Sequence, residues 1–383
     1  MFDFATSDRI IFGSGAIHSL GKFVNQLGSH ALVVKGKKYP DAEVLFKILR
    51  KEAIKNTTFI VPKEPDNVII EAAIKTGRNH NCDFVIGFGG GAVIDAGKAV
   101  AAMLNNAGDL MDYLEVVGKG YPLKSPSLPY IAIPTTAGTG SEVTRNAVIL
   151  IPEHDVKVSM RNKYLLPRVA IVDPVLTETV PPSITASTGM DAFTQVIEPY
   201  VTKVTNPLVD MFCREAIPIA AKNLLKSYSN GSNKPARTNM AYVSLLGGLS
   251  LANAKLGAVH GFAGPIGGMF KAPHGMVCAA LLPAVMKINA EILAASNSNQ
   301  EKINRFVQIA GWVTGMKNAT ITEGVAWIEE LALALNIPGL SEYGISNTDF
   351  PGIIEKSKRS SSMKGNPVTL SDEQMTRILS MAL

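Results

Sequence analysis

Two histidines, His260 and His274, enclose the thirteen-residue run GFAGPIGGMFKAP, and some seventy residues upstream the segment GMDAFTQVIEPY offers Asp191 and Gln195. Asp191 and Gln195 stand four apart in a stretch of helical character, so both side chains leave the same face about one turn from each other. Two imidazoles, one carboxylate and one amide oxygen make a cage for one divalent cation. The amide is the unusual donor, because an imidazole or a second carboxylate is the ordinary choice.

A second set of residues lies in glycine-rich turns. GFGGGAVIDAGK (87–98) follows the apolar run DFVIGF (83–88) and opens a helix. Consecutive glycines let a backbone approach a ligand closely, and the N–H groups of Ala92, Val93 and Ile94 at the helix start are expected to hold a pyrophosphate. The segment is neither a Walker A loop nor a strict G-x-G-x-x-G, and its plain alternative is a tight strand-to-helix connection. A second polar turn, Thr135-Thr136-Ala137-Gly138-Thr139, ends another apolar run, PYIAIP (129–134). Two such turns at strand ends fit a long ligand with several polar centres, such as a dinucleotide. Asp95 suits the start of a helix through the macrodipole as well as it suits catalysis. Lys98 reads as a solvated side chain, and spacing alone makes neither residue catalytic.

These turns need a scaffold, and the alternation upstream supplies one. ALVV (31–34), TTFIV (57–61) and DFVIGF read as strands, separated by amphipathic helices at 41–53 and 68–80 and followed by a helix over 93–104. Further strands are expected at PYIAIP, AVILI (147–151) and VAIVD (169–173). Strands alternating with helices at this spacing form a parallel sheet covered on both faces, which binds ligands at the carboxyl ends of its strands. After Pro181-Pro182 the period becomes helical through 183–226, 235–256 and 275–295 and onward to the end. The fold class is therefore an N-terminal parallel-sheet α/β domain over 1–178 and an all-helical domain over 179–383, with the boundary within 175–182.

Composition agrees with a two-domain enzyme. The chain has 383 residues, too many for one typical core. Hydrophobic residues make up 46% and charged residues 18%, which excludes a disordered or coiled-coil protein. The net charge of +5 is spread along the chain, so nucleic acid is not an expected partner. No apolar run reaches about 18 residues and the N-terminus lacks a signal-peptide pattern, so no membrane span is expected. Cys82, Cys213 and Cys278 are few and far apart, arguing against a disulfide framework or a cysteine metal site and for the cytoplasm.

GGGAVIDAGK, PTTAGTGSEVT, GMDAFTQVIEPYV and GAVHGFAGPIGGMFKAPHG, in this order, resemble motifs of the iron-dependent, or group III, alcohol dehydrogenases. The resemblance runs from IIFGSGAI near the start to Asn366-Pro367 near the end. It implies a dinucleotide-binding domain and a helical domain with the active site between them. It also implies hydride transfer between a nicotinamide cofactor and an alcohol, aldehyde or ketone, and a homodimer. Asp191, Gln195, His260 and His274 fall on the family's metal ligands, with Asp191, His260 and His274 also expected to be catalytic. A metal there polarises the substrate oxygen so that an alkoxide forms beside the nicotinamide. The cofactor set implied is Gly36, Lys37, Gly89, Gly90, Gly91, Ala92, Asp95, Thr135, Thr136, Thr139 and Lys157.

Four positions depart from the family pattern. Gln195 stands where a histidine is usual. Gly264 replaces another histidine implicated in proton relay, Ala284 takes a place that is often histidine, and Ala92 replaces the usual serine. Loss of an imidazole lowers affinity for zinc and nickel, and the remaining two-histidine, one-carboxylate set suits ferrous iron. Iron is thus the first expectation, zinc the second, and an empty site, with Gln195 simply bonded to Asp191, the alternative. With Gly264 in place of an imidazole, proton exchange would use water or the cofactor ribose.

At the end of the first strand, NAD-preferring relatives place an aspartate that would repel a 2′-phosphate. Gly36 stands there, with Lys35, Lys37 and Lys38 around it, which admits NADP as well as NAD. Phe193, Phe262, Met269 and Phe270 suggest a partly apolar pocket, or simple packing. Competing functions are a dehydroquinate-synthase-like lyase, whose site would need more basic groups, the glycerol and glycerol-phosphate dehydrogenases, and a non-catalytic NAD(P)-binding protein.

Overall fold

The computed structural model describes residues 1–37, 42–204, 206–295 and 300–383. Lys38 and the first residue of the helix expected over 41–53 lie outside the described residues. The chain forms two compact units, Ala5–Val180 and Pro181–Leu383, the second joined by Met1–Phe4.

Among its described residues the first unit has eight strands: β1 (Arg9–Phe12), β2 (His30–Gly36), β3 (Lys55–Val61), β4 (Phe84–Gly89), β5 (Tyr130–Pro134), β6 (Asn146–Ile151), β7 (Val156–Arg161) and β8 (Val169–Val172). Six form a parallel sheet in the order β1-β8-β5-β4-β2-β3. Every residue of β4 and β5 is buried, which is why these central strands read as continuous apolar runs. The edge strand β3 alternates half-buried with exposed positions after its first residues, and only Val61 at its end is buried. The helices Gly91–Leu104 and Asn67–Asn79 pack on one face with Val85, Ala132 and Leu32, while Phe84, Ile86, Ile131 and Ile133 fill the other.

AVILI is a strand but not part of the sheet. It belongs to β6, which pairs antiparallel with β7 in a separate hairpin. The sequence gives the physical reason: Pro152–His154 forms a tight turn, with Asp155 left-handed at φ 49°, and returns the chain into the alternating VKVSMR. This hairpin docks on the segment after β3 through Leu150 N–H donating to Pro65 O at 2.9 Å. Neither β7 nor the four-residue β1 was among the expected strands.

The second unit is helical, with long helices Pro182–Val201, Pro207–Ser229, Lys234–Asn253, Ala258–Phe270 and His274–Ala294. The first two break the expected 183–226 stretch, and the second restarts at Pro207, where Asn206 caps the helix by accepting from Leu208 N–H at 3.0 Å. Among the described residues, one helix, His274–Ala294, is long and apolar enough to cross a membrane. Seventy-two per cent of that apolar window is buried inside the protein. It carries Lys287 and Glu291 and packs against Pro182–Val201, Ala258–Phe270 and Ile321–Ala334, as a core helix does. Gly275 permits the close crossing with Pro182–Val201, because a Cβ there would lie 2.1 Å from Ser187 O.

Candidate active site

The strand order collects the expected cofactor segments. β2, β4 and β5 are neighbours, so Gly36-Lys37, Gly89–Ala92 and Thr135–Thr139 all lie at the carboxyl ends of adjacent strands. Thr135 N–H donates to Gly89 O at 2.9 Å, stitching the two turns together. None of the glycines at 87–91 has a positive φ. Their requirement is space: a Cβ on Gly91 would sit 2.6 Å from Thr139 Oγ1. The helix start is less open than expected. Val93 and Ile94 N–H both donate to Gly90 O, at 2.9 and 3.1 Å, as the first turn closes. Among the described residues this leaves Gly91 and Ala92 as the N–H donors aimed out of the helix end.

Asp95 and Lys98 belong to an internal network rather than to solvent. The Lys98 side chain is fully buried, and its Nζ donates to Ser141 Oγ at 2.7 Å, Thr144 Oγ1 at 2.8 Å and Asn146 O at 2.7 Å. It also pairs with Asp95 Oδ1 at 3.3 Å. Asp95 accepts from the Ser141 hydroxyl and, through Oδ2, from Val148 N–H at 3.0 Å. The reading of Lys98 as solvated is therefore corrected: residues 43 to 48 positions later in the chain close over it. Burial pushes the Lys98 ammonium below its ordinary value, opposed by Asp95 and Glu142. Burial likewise raises the Glu142 carboxyl to about 7 against the pull of Lys98. Lys157, on β7, pairs with Glu64 at 3.0 Å. Lys35 Nζ folds back to donate to Gly36 O at 3.0 Å, whereas Lys37 is exposed.

The second unit brings Asp191, His260 and His274 to one point. His260 Nε2 lies 3.3 Å and His274 Nε2 3.7 Å from Asp191 Oδ1. Gln195 is one turn along from Asp191 on the buried face of Pro182–Val201 and hydrogen-bonds its carboxyl. His260 is the third residue of Ala258–Phe270 and His274 the first of His274–Ala294. The His260 ring is buried; His274 is a third exposed, at 34%. Their rings approach to 5.3 Å between centroids.

Two residues outside the expected set complete the cluster. Glu198 Oε2 binds His260 Nδ1 at 2.6 Å, and its Oε1 accepts from Val259 N–H at 2.7 Å. Its carboxylate thus fixes both the imidazole and the start of that helix, leaving Nε2 to face Asp191. A signal existed in the sequence, since Glu198 is seven positions after Asp191 and on the same face. Asn366 locks the frame by accepting from Ala258 N–H at 3.2 Å and exchanging amide hydrogen bonds with Asn289 at 2.8 and 3.0 Å. The other addition is Cys278, four residues after His274, with Sγ 3.7 Å from His274 Nε2. One ligand atom from each of Asp191, His260, His274 and Cys278 lies within 4.8 Å of all the others. The expectation against a cysteine metal site did not foresee Cys278 lying beside these three donors. Counting cysteines misses a lone thiol that helical spacing sets beside a histidine.

The donor set fits a divalent cation. Asp191 Oδ1 is buried and makes no hydrogen bond among the described residues, although two imidazole nitrogens converge on it. Such a convergence of lone pairs is what a cation organises. Burial by itself would raise the Asp191 carboxyl, but His274, then His260 and Gln195, hold it below its ordinary value. Burial would depress the His260 imidazole, yet Cys278, Asp191 and Glu198 raise it well above. Burial would raise the Cys278 thiol, and His274 and His260 lower it.

The departures from the family pattern have clear consequences. A Cβ at Gly264, one turn after His260, would meet no atom within 4 Å, so the missing imidazole leaves open space. Ala284 is buried within its helix. Phe193 and Phe262 are fully buried, and Phe193 packs edge-on against Trp327 at 6.2 Å. Both belong to the core; Met269 and Phe270 are partly exposed.

Comparison with known proteins agrees along the whole chain. The profile described as iron-containing alcohol dehydrogenase matches residues 7–174, and that of the Fe-containing alcohol dehydrogenase family C-terminal region matches 185–383. A 1,3-propanediol dehydrogenase of Klebsiella pneumoniae is 35% identical, covering 100% of this chain and 99% of its own. An NAD-dependent methanol dehydrogenase of Bacillus methanolicus is 31% identical, with 100% of both chains covered. The solved structure of a 1,3-propanediol oxidoreductase matches with a TM-score of 0.91 and 33% identity over 100% of both chains. The chain belongs to the iron-containing alcohol dehydrogenase family, as the order of its motifs implied, and is an alcohol oxidoreductase.

Proposed function

We propose that this protein interconverts a small alcohol and its aldehyde or ketone with NAD or NADP, using a divalent cation held by Asp191, His260 and His274. The observation that carries this reading is the buried Asp191 Oδ1 with two imidazole nitrogens at 3.3 and 3.7 Å. When bound, the cation supplies Lewis-acid stabilisation of the substrate oxygen. The chain's own residues do the rest. Glu198 fixes the His260 tautomer, Asn366 holds the helix that carries it, and Gln195 steadies Asp191. The open space beside Gly264 admits water to exchange the alcohol proton in place of an imidazole.

On the cofactor side, Gly91 and Ala92 N–H groups are assigned to the pyrophosphate, with the Gly89-Gly90 backbone and Thr135, Thr136 and Thr139 lining its path. Asp95 is a positioning residue that ties this helix to the β6–β7 hairpin. Lys157 is assigned to the same cofactor edge, where it is held by Glu64. Gly36 places no carboxylate at the ribose position and Lys37 is exposed beside it, so NADP is accepted alongside NAD. The cytoplasm is the proposed compartment, in keeping with three free, buried cysteines, and a homodimer the proposed assembly.

The test is metal content after purification without chelator, paired with nicotinamide turnover over a panel of small aldehydes before and after chelation. Activity lost on chelation and restored by a divalent cation is expected. Full activity in metal-free protein would sink the Lewis-acid reading. The ratio of kcat/KM for NADPH and NADH tests the cofactor assignment, and a strong NADH preference would count against it.

A further inference from the structure

We propose that Cys278 supplies the fourth metal-binding atom of this site, as a thiolate, in the place that Gln195 leaves. The inference deepens the metal-dependent reading above and rests on it.

The spacing of the donors carries the argument. Around a tetrahedral ion, an N/O donor pair at the usual bond lengths is separated by about 3.4 Å, and a nitrogen–thiolate pair by about 3.6 Å. The observed edges are 3.3 Å for His260 Nε2 to Asp191 Oδ1, 3.7 Å for His274 Nε2 to Asp191 Oδ1, and 3.7 Å for His274 Nε2 to Cys278 Sγ. These three edges join all four donors, and the whole set falls within 4.8 Å. The helix His274–Ala294 makes this possible, because residues one turn apart present their side chains to the same point. Gln195 donates its amide N–H to Asp191, and its neutral amide oxygen is a weaker donor to a borderline or soft cation than a thiolate. Cys278 is fully buried, and the fold gives it neighbours at the site and no disulfide partner.

The chemistry follows from the donor types. On binding, the thiol gives its proton to solvent and the sulfur donates an electron pair to the cation, with no change of oxidation state. Thiolate is a soft ligand and favours zinc over ferrous iron, which reverses the preference expected from two histidines and one carboxylate alone.

The test uses the full chain loaded with zinc, read by X-ray absorption at the zinc edge and by competition titration with a chromophoric chelator. A sulfur scatterer at about 2.3 Å is expected in the wild type and in Gln195→Ala, and none in Cys278→Ser. Zinc affinity should fall on the order of 100-fold in Cys278→Ser, past the reach of most indirect ligand effects, and less than about 10-fold in Gln195→Ala. Cobalt in place of zinc should show a sulfur-to-metal charge-transfer band that Cys278→Ser abolishes. Zinc bound without a sulfur neighbour in the wild type overturns the proposal and leaves the metal-dependent reading intact. Absence of bound zinc overturns both. Because the wild-type spectrum decides alone, a Cys278→Ser chain that fails to fold does not protect the idea.

Discussion

Lys98→Met removes the one cation in a buried network while keeping most of the aliphatic stem, so its cost can be worked from the contacts. Nζ donates to Ser141 Oγ, Thr144 Oγ1 and Asn146 O and pairs with Asp95. The two hydroxyls keep other bonds, to Asp95 and to Ser141 O, so their loss is small. The Asn146 carbonyl loses its donor inside the protein, costing about 1–2 kcal/mol. Asp95 loses its counter-charge but keeps the Ser141 hydroxyl and Val148 N–H, which places its share near 2 kcal/mol, below the roughly 3–5 kcal/mol for stranding a charge with no other partner. The expected destabilisation is about 3 kcal/mol, or a fall of about 1.5 M in the urea midpoint at a slope near 2 kcal/mol per M. Both tryptophans, Trp312 and Trp327, lie in the helical unit, so fluorescence would follow the wrong part of the chain. Hydrogen exchange of residues 91–104, with circular dichroism for the global transition, follows the right one. Adding Asp95→Asn to Lys98→Met should recover 1–2 kcal/mol of the loss, as expected for groups in direct contact. The KM for the cofactor should rise, because Ser141 and Thr144 continue from the threonine turn. Protection and midpoint both within about 0.5 kcal/mol of wild type would refute the network as a structural tie.

Three further outcomes are expected. Gly91→Ala forces Thr139 to move, since the new Cβ would meet Oγ1 at 2.6 Å and Cγ2 at 2.7 Å; thermal unfolding should show a loss of about 1–3 kcal/mol, largely relieved by Thr139→Ala in the same chain, and no relief would argue against the clash. Glu198→Gln weakens the anchor of His260 and should lower zinc affinity about 10- to 100-fold by competition titration, whereas unchanged affinity would show that Glu198 merely caps its helix. For Glu142 the folded carboxyl titrates at about 7, above the ordinary 4.5, because it is buried. Its raised value means that the native state holds the proton more tightly. Its contribution is therefore present below about pH 4.5 and lost as pH rises through about 7, a change on the order of 3 kcal/mol. Glu142→Gln should flatten that portion of the stability profile, and parallel profiles from pH 5 to 8 would contradict the assignment.

What the sequence disclosed depended on whether a signal was local. β4 and its helix were legible because a buried parallel strand is a continuous apolar run and the glycines after it can only be a turn. Asp191, His260 and His274 were legible through helical spacing and motif order. Lys98 was not, because Ser141, Thr144 and Asn146, which bury it, come more than forty positions later. That AVILI forms a hairpin outside the sheet was not legible, because it has the composition of a buried strand and only its partner VKVSMR shows that it turns back at once. Glu198 and Cys278 had local signals, at seven positions from Asp191 and four from His274, but a single carboxylate or thiol at helical spacing is too common on helix faces to single out a site.

The exchange of Gln195 for a histidine and the presence of Cys278 are most simply understood as one change. With the cation held by Asp191 and His274 as proposed, each position lies one helical turn from one of these ligands, so a donor can pass from one helix to its neighbour while the helix packing stays fixed. The number of donors is conserved, but the charge is not. One carboxylate and three imidazoles leave a divalent site with a net charge of +1, whereas one carboxylate, one thiolate and two imidazoles leave it neutral. A neutral site holds its cation more firmly and withdraws less electron density from a substrate oxygen. Retention and activation therefore pull in opposite directions on Cys278, and Cys278→Ser should weaken zinc binding while moving the alkaline rise of kcat per bound zinc to lower pH. Weaker binding with the rise left at the same pH would mean that the sulfur serves only to shape the site.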